Sequence, residues 1–302
     1  MTAFTRHAFA SFDGTEISYL DSGNGDAVAL LLHGFQVDGE TNFGPAAQTL
    51  ALMSMVTPPG VPAPALIDPA GAPGIAASLA AAGFRVLVPD MRGHGASGKP
   101  DTADGYRGRA MARDMVALLD RFGVERAHVL GYSMGTLTAA HLMAIAPARV
   151  RSVVLGGIGA AIVAGEPLHF PPEFPVPEWV PQPLTFPAFS EYVASVLDGS
   201  KPAEGFAVVY PHLCQVLGSN PLVMAAVMRG HLTDVVSPET LRAFERPVMV
   251  ANGAGDVASL PSEQAFSQYV PALTFLRMRG DHLGAVLDPD FHAATIRHFQ
   301  TS

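Results

Sequence analysis

The sequence predicts an α/β protein whose central sheet is mostly parallel and carries helices on both faces. Short apolar runs bounded by Gly, Pro or Asp have the continuous hydrophobicity of strands that are buried on both faces. Helical patterns separate these runs, and the first 25 residues indicate two further strands joined by a turn at Asp13-Gly14. The apolar runs are 27–33, 84–90, 127–132, 152–157, 247–253 and 273–280, and the helical segments are 72–82, 108–122, 134–146, 261–270 and 289–300.

Composition excludes several classes of protein. The 302 residues are 49% apolar and 15% charged, with a formal net charge of −9, so the chain is neither intrinsically disordered nor suited to binding nucleic acid. The single cysteine, Cys214, excludes a disulfide framework and a four-cysteine metal site. We find no metal-ligand cluster, and no glycine-rich dinucleotide motif follows a strand. We therefore expect no metal and no cofactor.

Two long segments interrupt the alternation of strand and helix. Residues 36–75 follow the strand that ends at His33, and 157–235 separate two strands by more than one crossover helix needs. Fifteen of the 26 prolines lie in 36–75 and 165–190. We therefore predict a core in two parts, 1–156 with the insertion 36–75 and 236–302, joined by a cap or lid over 157–235. Peripheral packing is the alternative role for both segments.

The shortage of charge is concentrated in two stretches, 41–84 and 205–228. Prolines interrupt both stretches, so we predict no integral membrane segment. The N-terminus lacks the continuous apolar region of a signal peptide, and we expect a cytoplasmic protein. As a hypothesis, the charge-poor stretches form a dry, apolar enclosure over a site that binds a hydrophobic substrate.

The strongest catalytic motif is Gly131-Tyr132-Ser133-Met134-Gly135. It follows an apolar strand and opens an uncharged helix, which is the strand–turn–helix context of a nucleophilic serine. The sharp turn needs residues without side chains two positions before and after the serine. We predict Ser133 as the nucleophile; a helix-capping serine is the structural alternative.

A serine needs a histidine that accepts its proton and an acid that orients the histidine. His282 is the predicted base, because it lies in a loop after the last predicted strand, where ligands bind in such sheets. Asp256 follows the strand 247–253 and is the predicted acid. Asp281 is the rival acid, although adjacent side chains seldom fold back on each other. His33 is an alternative base, but a histidine at a strand end beside a turn more often orders its loop.

Developing charge on the substrate oxygen needs two backbone N–H donors. We predict that one is the amide of Met134, directly after the serine, and that the other is the amide of Phe35 in His33-Gly34-Phe35. Asp90, Arg92 and Ser97 belong to a tight loop after a strand, and we interpret them as residues that stabilise the turn.

Together these motifs resemble the α/β-hydrolase superfamily, in its cap-bearing branch with a Ser-Asp-His triad. That branch includes small esterases, cofactor-free haloperoxidases, enol-lactonases and carbon–carbon bond hydrolases. The resemblance covers about 1–156 and 236–302, and the chain order Ser133, Asp256, His282 matches it. The insertion 36–75 is longer than the usual loop of the family. Epoxide hydrolases and dehalogenases share the His-Gly-Phe motif but use an aspartate nucleophile, which Ser133 argues against.

The resemblance implies hydrolysis of a carboxylic ester of an apolar small molecule through an acyl-enzyme intermediate. We expect Tyr132, Trp179, Phe186 and Phe189 to contact the substrate, because aromatic side chains make apolar pocket walls. The alternatives are a carbon–carbon bond hydrolase, an acyltransferase or perhydrolase, and a non-catalytic ligand receptor. A carbon–carbon bond hydrolase needs a cationic group in the cap, where Lys201 and Arg229 are the sole candidates. A homodimer is a possible assembly.

Overall fold

The sheet confirms the predicted fold class. The computed structural model describes residues 3–44, 73–168, 176–256 and 263–302. Within them an eight-stranded sheet has the order β1-β2-β4-β3-β5-β6-β7-β8, in which β2 is antiparallel to both of its neighbours and the remaining pairs are parallel. The strands are β1 Thr5–Ala10, β2 Glu16–Asp21, β3 Ala27–Leu32, β4 Phe84–Pro89, β5 Ala127–Tyr132, β6 Val150–Gly156, β7 Val248–Gly253 and β8 Leu273–Met278.

Helices occupy the predicted positions between the strands, with ends that differ by at most three residues. The predicted segment 72–82 becomes a helix over Ile75–Ala81, and the last helix has the predicted bounds of 289–300. The α-helices are α1 Gly39–Phe43, α2 Ile75–Ala81, α3 Ala110–Arg121, α4 Met134–Ile145, α5 Phe186–Leu197, α6 Val209–Leu217, α7 Pro221–Val227, α8 Pro238–Arg242, α9 Glu263–Tyr269 and α10 Pro289–Gln300.

Each inner strand is buried on both faces, as its unbroken hydrophobicity predicts. Along β3, Leu30 and Leu32 pack into one apolar cluster with α3 and α4, whereas Ala29 and Leu31 pack into a second cluster with α2 and α10. Because successive side chains of a strand point to opposite faces of the sheet, each inner strand contributes to both apolar clusters. Helix α4 lies at the centre, with ten of its twelve residues buried.

In its described residues, the segment between β6 and β7 is largely helical. Helices α5, α6 and α7 lie in it, and α7 continues as a short π-helix over Met228–Leu232. Buried residues of α5 and α7 join the same apolar cluster as α4, so these helices pack on that face of the core. In the part of the chain that the structure describes, we find no helix of the length and apolarity needed to cross a membrane.

Most of the insertion predicted at 36–75, namely residues 45–72, lies outside the described residues. Its two described ends meet. A Cβ added at Gly74 would lie 1.8 Å from the carbonyl oxygen of Gly44, so backbone touches backbone at this point. The residue that follows α1 and the residue that precedes α2 are therefore in backbone contact.

Candidate active site

Ser133 occupies a sharp turn between β5 and α4. Its backbone has φ 54° and ψ −119°, a left-handed conformation that residues with side chains rarely adopt. A Cβ at Gly131 would lie 2.2 Å from the carbonyl oxygen of Gly135, and one at Gly135 would lie 1.9 Å from that of Leu32. Both glycines are required because strand and helix approach so closely. The turn holds the Ser133 hydroxyl beside the N-terminus of α4.

His282 links Ser133 to Asp256. The Nε2 atom of His282 lies 3.0 Å from the Ser133 Oγ, and its Nδ1 atom lies 2.9 Å from the Asp256 Oδ2. Asp256 is buried, whereas the His282 side chain is 39% exposed and can be reached from outside. Burial favours the neutral imidazole, but the charge and hydrogen bond of Asp256 outweigh it and raise the pKa of His282 above its ordinary value.

The rival acid, Asp281, has a different set of contacts. Its Oδ1 atom accepts hydrogen bonds from the amides of Leu283 and Gly284, at 3.1 and 2.8 Å. These bonds hold the turn that follows His282. The carboxylate of Asp281 therefore stabilises the loop, and the structure brings Asp256 rather than Asp281 to the imidazole.

Tyr132 lies beneath this loop instead of facing an open pocket. Its side chain is 2% exposed, and its hydroxyl donates a 2.7 Å hydrogen bond to the carbonyl oxygen of His282. A Cβ at Gly156 or Gly157 would lie 2.7 or 2.8 Å from the Tyr132 ring, so these glycines make room for it. We predicted Tyr132 as a substrate contact; its burial suits it to supporting the His282 loop.

The two predicted oxyanion donors belong to segments that meet at Ser133. Met134 is the first residue of α4, where backbone N–H groups have no partner within the helix. Phe35 follows Gly34, whose added Cβ would lie 3.4 Å from the Ser133 Cβ. The Phe35 amide donates to no group in the described residues. Both amides can thus serve an incoming oxygen.

His33 orders the Gly34 loop rather than acting as a base. It is fully buried, its Nδ1 atom is 2.8 Å from the carbonyl oxygen of Gly34, and its Nε2 atom accepts a 2.9 Å bond from the Met91 amide. A neutral ring with the proton on Nδ1 satisfies both bonds. Burial lowers the pKa of His33, in keeping with that state.

The loop residues after β4 make the contacts predicted for stabilising a turn. Asp90 accepts bonds from the amides of Gly39 and Ala96 at 3.1 and 3.0 Å, and its carbonyl oxygen accepts one from the Ser97 hydroxyl. Arg92 is completely buried and pairs with Asp114. These contacts confirm the structural role expected of Asp90, Arg92 and Ser97.

Aromatic rings connect the Phe35 loop to the helices between β6 and β7. The Phe35 ring lies 5.9 Å from that of Tyr210 in α6, and Tyr210 lies 6.3 Å from Phe189 in α5. Phe186 stacks on Phe189 at 6.5 Å. Phe186 and Phe189 thus belong to a ring cluster that reaches the loop. Trp179 is 36% exposed, and its ring contact is with Tyr192, at 5.2 Å.

Sequence reasoning missed three residues at this site. Asn42 accepts a 2.7 Å bond from the Gly34 amide, Gln36 donates to the backbone of α6, and Tyr210 packs on Phe35. Each acts through a contact between distant parts of the chain, and none lies in a recognisable motif. The motif His33-Gly34-Phe35 identified the loop, but it did not indicate which residues hold the loop in place.

Comparisons with known proteins concern the fold of the chain. The model of a family described as alpha/beta hydrolase fold matches residues 56–197. A 2-hydroxy-6-oxononadienedioate/2-hydroxy-6-oxononatrienedioate hydrolase of Paraburkholderia xenovorans is 31% identical over 157 residues, covering 52% of this chain and 43% of that protein. The chain therefore spans less than half the length of this curated relative.

Solved structures match over nearly the whole chain. An esterase from Rhodococcus sp. is 25% identical with a TM-score of 0.61, covering 100% of this chain and 99% of that one. A serine hydrolase from a Cycloclasticus bacterium is 18% identical with a TM-score of 0.65, covering 99% and 98%. A 2-hydroxy-6-oxo-6-phenylhexa-2,4-dienoate hydrolase from Rhodococcus sp. is 21% identical with a TM-score of 0.62, covering 99% and 100%.

Proposed function

The chain has the α/β-hydrolase fold, and we propose that it is a serine hydrolase that cleaves a carboxylic ester of an apolar small molecule. One observation carries the proposal: the unbroken hydrogen-bonded series from Ser133 through His282 to the buried Asp256. A hydroxyl, an imidazole and an oriented carboxylate in this order activate a serine for acyl transfer. In this proposal Ser133 is the nucleophile, His282 the base and Asp256 the orienting acid.

The reaction proceeds in two balanced halves. The Ser133 Oγ attacks the ester carbonyl as its proton passes to the Nε2 of His282, and the resulting oxyanion accepts hydrogen bonds from the amides of Phe35 and Met134. The intermediate collapses, and the imidazolium returns the proton to the departing alcohol. Water then attacks the acyl-enzyme by the same route, which releases the acid and restores Ser133. Asp256 keeps the imidazole in the required tautomer throughout.

An apolar substrate is supported by the aromatic cluster on α5 and α6. Phe189 is buried among the rings of Phe186, Phe206 and Tyr210, and the cluster reaches Phe35 beside Ser133. Such walls favour hydrocarbon over charged groups. We propose that residues 157–235 act as a cap, with Phe186 and Phe189 nearer to the substrate than Trp179, which lies toward the outside.

A carbon–carbon bond hydrolase is the second candidate, because the Paraburkholderia relative and one of the solved structures bear names of dienoate-type hydrolases. Such a substrate has a carboxylate that needs a cation. Arg229 already pairs with Glu191 and Asp198, at 2.9 and 2.6 Å, and Lys201 lies over the Trp179 ring at 5.2 Å. Both cations already have partners, which favours the neutral ester.

Two other readings remain as outcomes of the test. An acyltransferase or perhydrolase uses the same acyl-enzyme with another nucleophile in place of water. A dihydrolipoyllysine-residue acetyltransferase component of the acetoin cleaving system of Cupriavidus necator is 30% identical over 169 residues, covering 54% of this chain and 36% of that protein. A non-catalytic receptor is disfavoured by the intact hydrogen-bonded series, since a receptor does not need it.

The test is a panel of p-nitrophenyl esters of rising acyl length, with 2-hydroxy-6-oxo-6-phenylhexa-2,4-dienoate as an additional substrate. We expect turnover of esters, with kcat/KM rising with acyl length, and loss of turnover in Ser133→Ala. Turnover of the dienoate alone would move the assignment to carbon–carbon cleavage, and no turnover of either would favour a receptor. An acyl-enzyme that resists water but transfers to added alcohol or peroxide would indicate the transferase.

Ser152→Ala is the matched control. Ser152 is also a buried serine in contact with a histidine, His128, with 2.8 Å between its Oγ and the imidazole Nδ1. It lies near the start of β6, whereas Ser133 follows the end of the parallel strand β5, so the two serines lie at opposite ends of the strands. Full activity in Ser152→Ala and none in Ser133→Ala would assign the nucleophile to one hydroxyl.

A further inference from the structure

Gln36 is an unusual residue in the loop that carries Phe35. Its backbone has φ 64°, which a residue with a side chain rarely adopts, and its polar side chain is almost fully buried at 4% exposure. Both features are unfavourable to folding. Strain and a buried amide at one position, directly after a predicted oxyanion donor, point to a functional reason for keeping it.

The side chain of Gln36 reaches across to helix α6. Its Nε2 atom donates to the carbonyl oxygen of Tyr210 and contacts the Sγ of Cys214, both at 3.0 Å. A carbonyl oxygen only accepts, so the amide is fixed with its nitrogen toward α6. The Oε1 atom then has no donor among the described residues. The side chain thus pairs with a carbonyl group of α6, while its own Oε1 atom has no hydrogen bond within the described residues.

The opposite side of the same loop is held by the core. Asn42 accepts the Gly34 amide at 2.7 Å, and His33 contacts the Gly34 carbonyl oxygen at 2.8 Å. Phe35 therefore lies between a residue fixed by the core and a residue fixed by α6. Its ring also rests on Tyr210, 5.9 Å away, so α6 contacts both Phe35 and its neighbour.

We propose that Gln36 is a positioning residue that ties the Phe35 amide to α6, so that this oxyanion donor is aligned when α6 is packed against the loop that carries Phe35. The inference rests on the proposed acyl transfer. Helix α6 also carries Tyr210 of the ring cluster proposed to bind the apolar group. A substrate that fits against the rings thereby fixes the donor that stabilises its transition state, and poor fit lowers the rate as well as the affinity.

The central variant is Gln36→Met, which keeps the length of the side chain but cannot donate a hydrogen bond. We expect kcat to fall by about tenfold to a hundredfold, as for a misplaced donor, with KM changed by less than about twofold. The affinity for an alkyl boronic acid, whose adduct with Ser133 presents an oxyanion, falls by the same factor as kcat/KM. Cys214→Ala, which leaves the Tyr210 carbonyl as acceptor, has a smaller effect.

Ser190→Ala is the control for general loosening of the same helical segment. Ser190 is a buried hydroxyl that lies 2.8 and 3.2 Å from the carbonyl oxygens of Phe186 and Leu232, away from the loop. We expect it to lower Tm without changing kcat. A loss of kcat in Ser190→Ala equal to that in Gln36→Met, or an unchanged kcat and boronate affinity in Gln36→Met, would overturn the proposal.

Hydrogen exchange separates this inference from the proposed function. The Gly34 amide, protected by Asn42, reports on the loop whether or not the protein hydrolyses an ester. We expect faster exchange of this amide in Gln36→Met than in the wild type, and unchanged exchange in Ser190→Ala. Faster exchange without any esterase activity in the wild type would refute the function but keep the tie to α6. Unchanged exchange in Gln36→Met would refute the tie itself.

Discussion

Replacing Asp256 by asparagine tests the proposed mechanism most directly. The substitution keeps the size of the side chain but removes a charge 2.9 Å from the Nδ1 of His282. An amide can also present its NH₂ group to Nδ1, which places the imidazole proton on Nε2, where it cannot accept the proton of Ser133. The loss of the Asp256 charge and the wrong tautomer of the imidazole both make His282 a poorer base.

The size of the effect follows from the contact distance. Two unit charges 2.9 Å apart attract by about 6 kcal/mol at an effective dielectric constant of about 20. The 39% exposure of the His282 side chain reduces this, to about half or less. That alone corresponds to roughly a hundredfold loss of rate. With the tautomer error added, we expect kcat to fall by about 10²- to 10⁴-fold, measured with the best ester of the panel.

The pH profile supplies a second readout. His282 acts as a base only when neutral, so kcat/KM is lost as the pH falls through its pKa, which Asp256 raises above the ordinary value. Without Asp256, burial dominates and the acid limb of the residual activity moves to lower pH. Asp281→Asn is the control, because its side-chain oxygen can still accept the Leu283 and Gly284 amides. The reasoning is refuted if Asp281→Asn loses the activity and Asp256→Asn retains it.

Two further substitutions test the supports of the site. Tyr132→Phe removes the 2.7 Å bond to the His282 carbonyl oxygen and should lower kcat about tenfold with KM unchanged. Tyr106→Phe is the control, because it removes a bond of equal length, 2.7 Å, to the carbonyl oxygen of Pro100. Each variant should lose ~1 kcal/mol in the free energy of unfolding, but Tyr106→Phe should keep full activity. Equal kcat values for the two variants would exclude a role for Tyr132 in positioning. Gly135→Ala forces a Cβ to 1.9 Å from the Leu32 carbonyl oxygen and should lower Tm by many degrees. Gly255→Ala is its control and should change Tm little, because the added Cβ meets its nearest atom at 3.4 Å. Similar Tm values would contradict the packing argument for the turn.

The fold was predictable because its signals are local. Strands such as β3 and β5 are short apolar runs, and the turn at Ser133 follows from glycines at fixed spacing around one serine. Residues of this kind are recognised without knowing what they touch. Ser133, His282 and Asp256 could be proposed as partners because each follows a strand and the carboxyl ends of parallel strands share one edge of a sheet.

The supports of the site were not predictable, because they are contacts between residues far apart in the chain. Gln36 and Tyr210 are separated by 174 positions, and nothing near either residue indicates the other. Tyr132 was misplaced for a related reason. Its aromatic ring suggested a contact with substrate, but the ring packs under the His282 loop, in the same apolar cluster as Leu130 two positions earlier on β5.

The meeting of Gly44 and Gly74 has a consequence for how this chain can vary. The described residues on either side of 45–72 lie within contact distance of each other, so the core holds both ends at one junction. The entropic cost of joining two fixed points of a chain grows only slowly with the number of residues between them, so residues added or removed between Gly44 and Gly74 need not shift the register of the sheet. Asn42 lies two residues before the junction and holds the Gly34 amide. Relatives of this sequence can therefore differ in the number of residues between Gly44 and Gly74 while keeping every strand of the sheet.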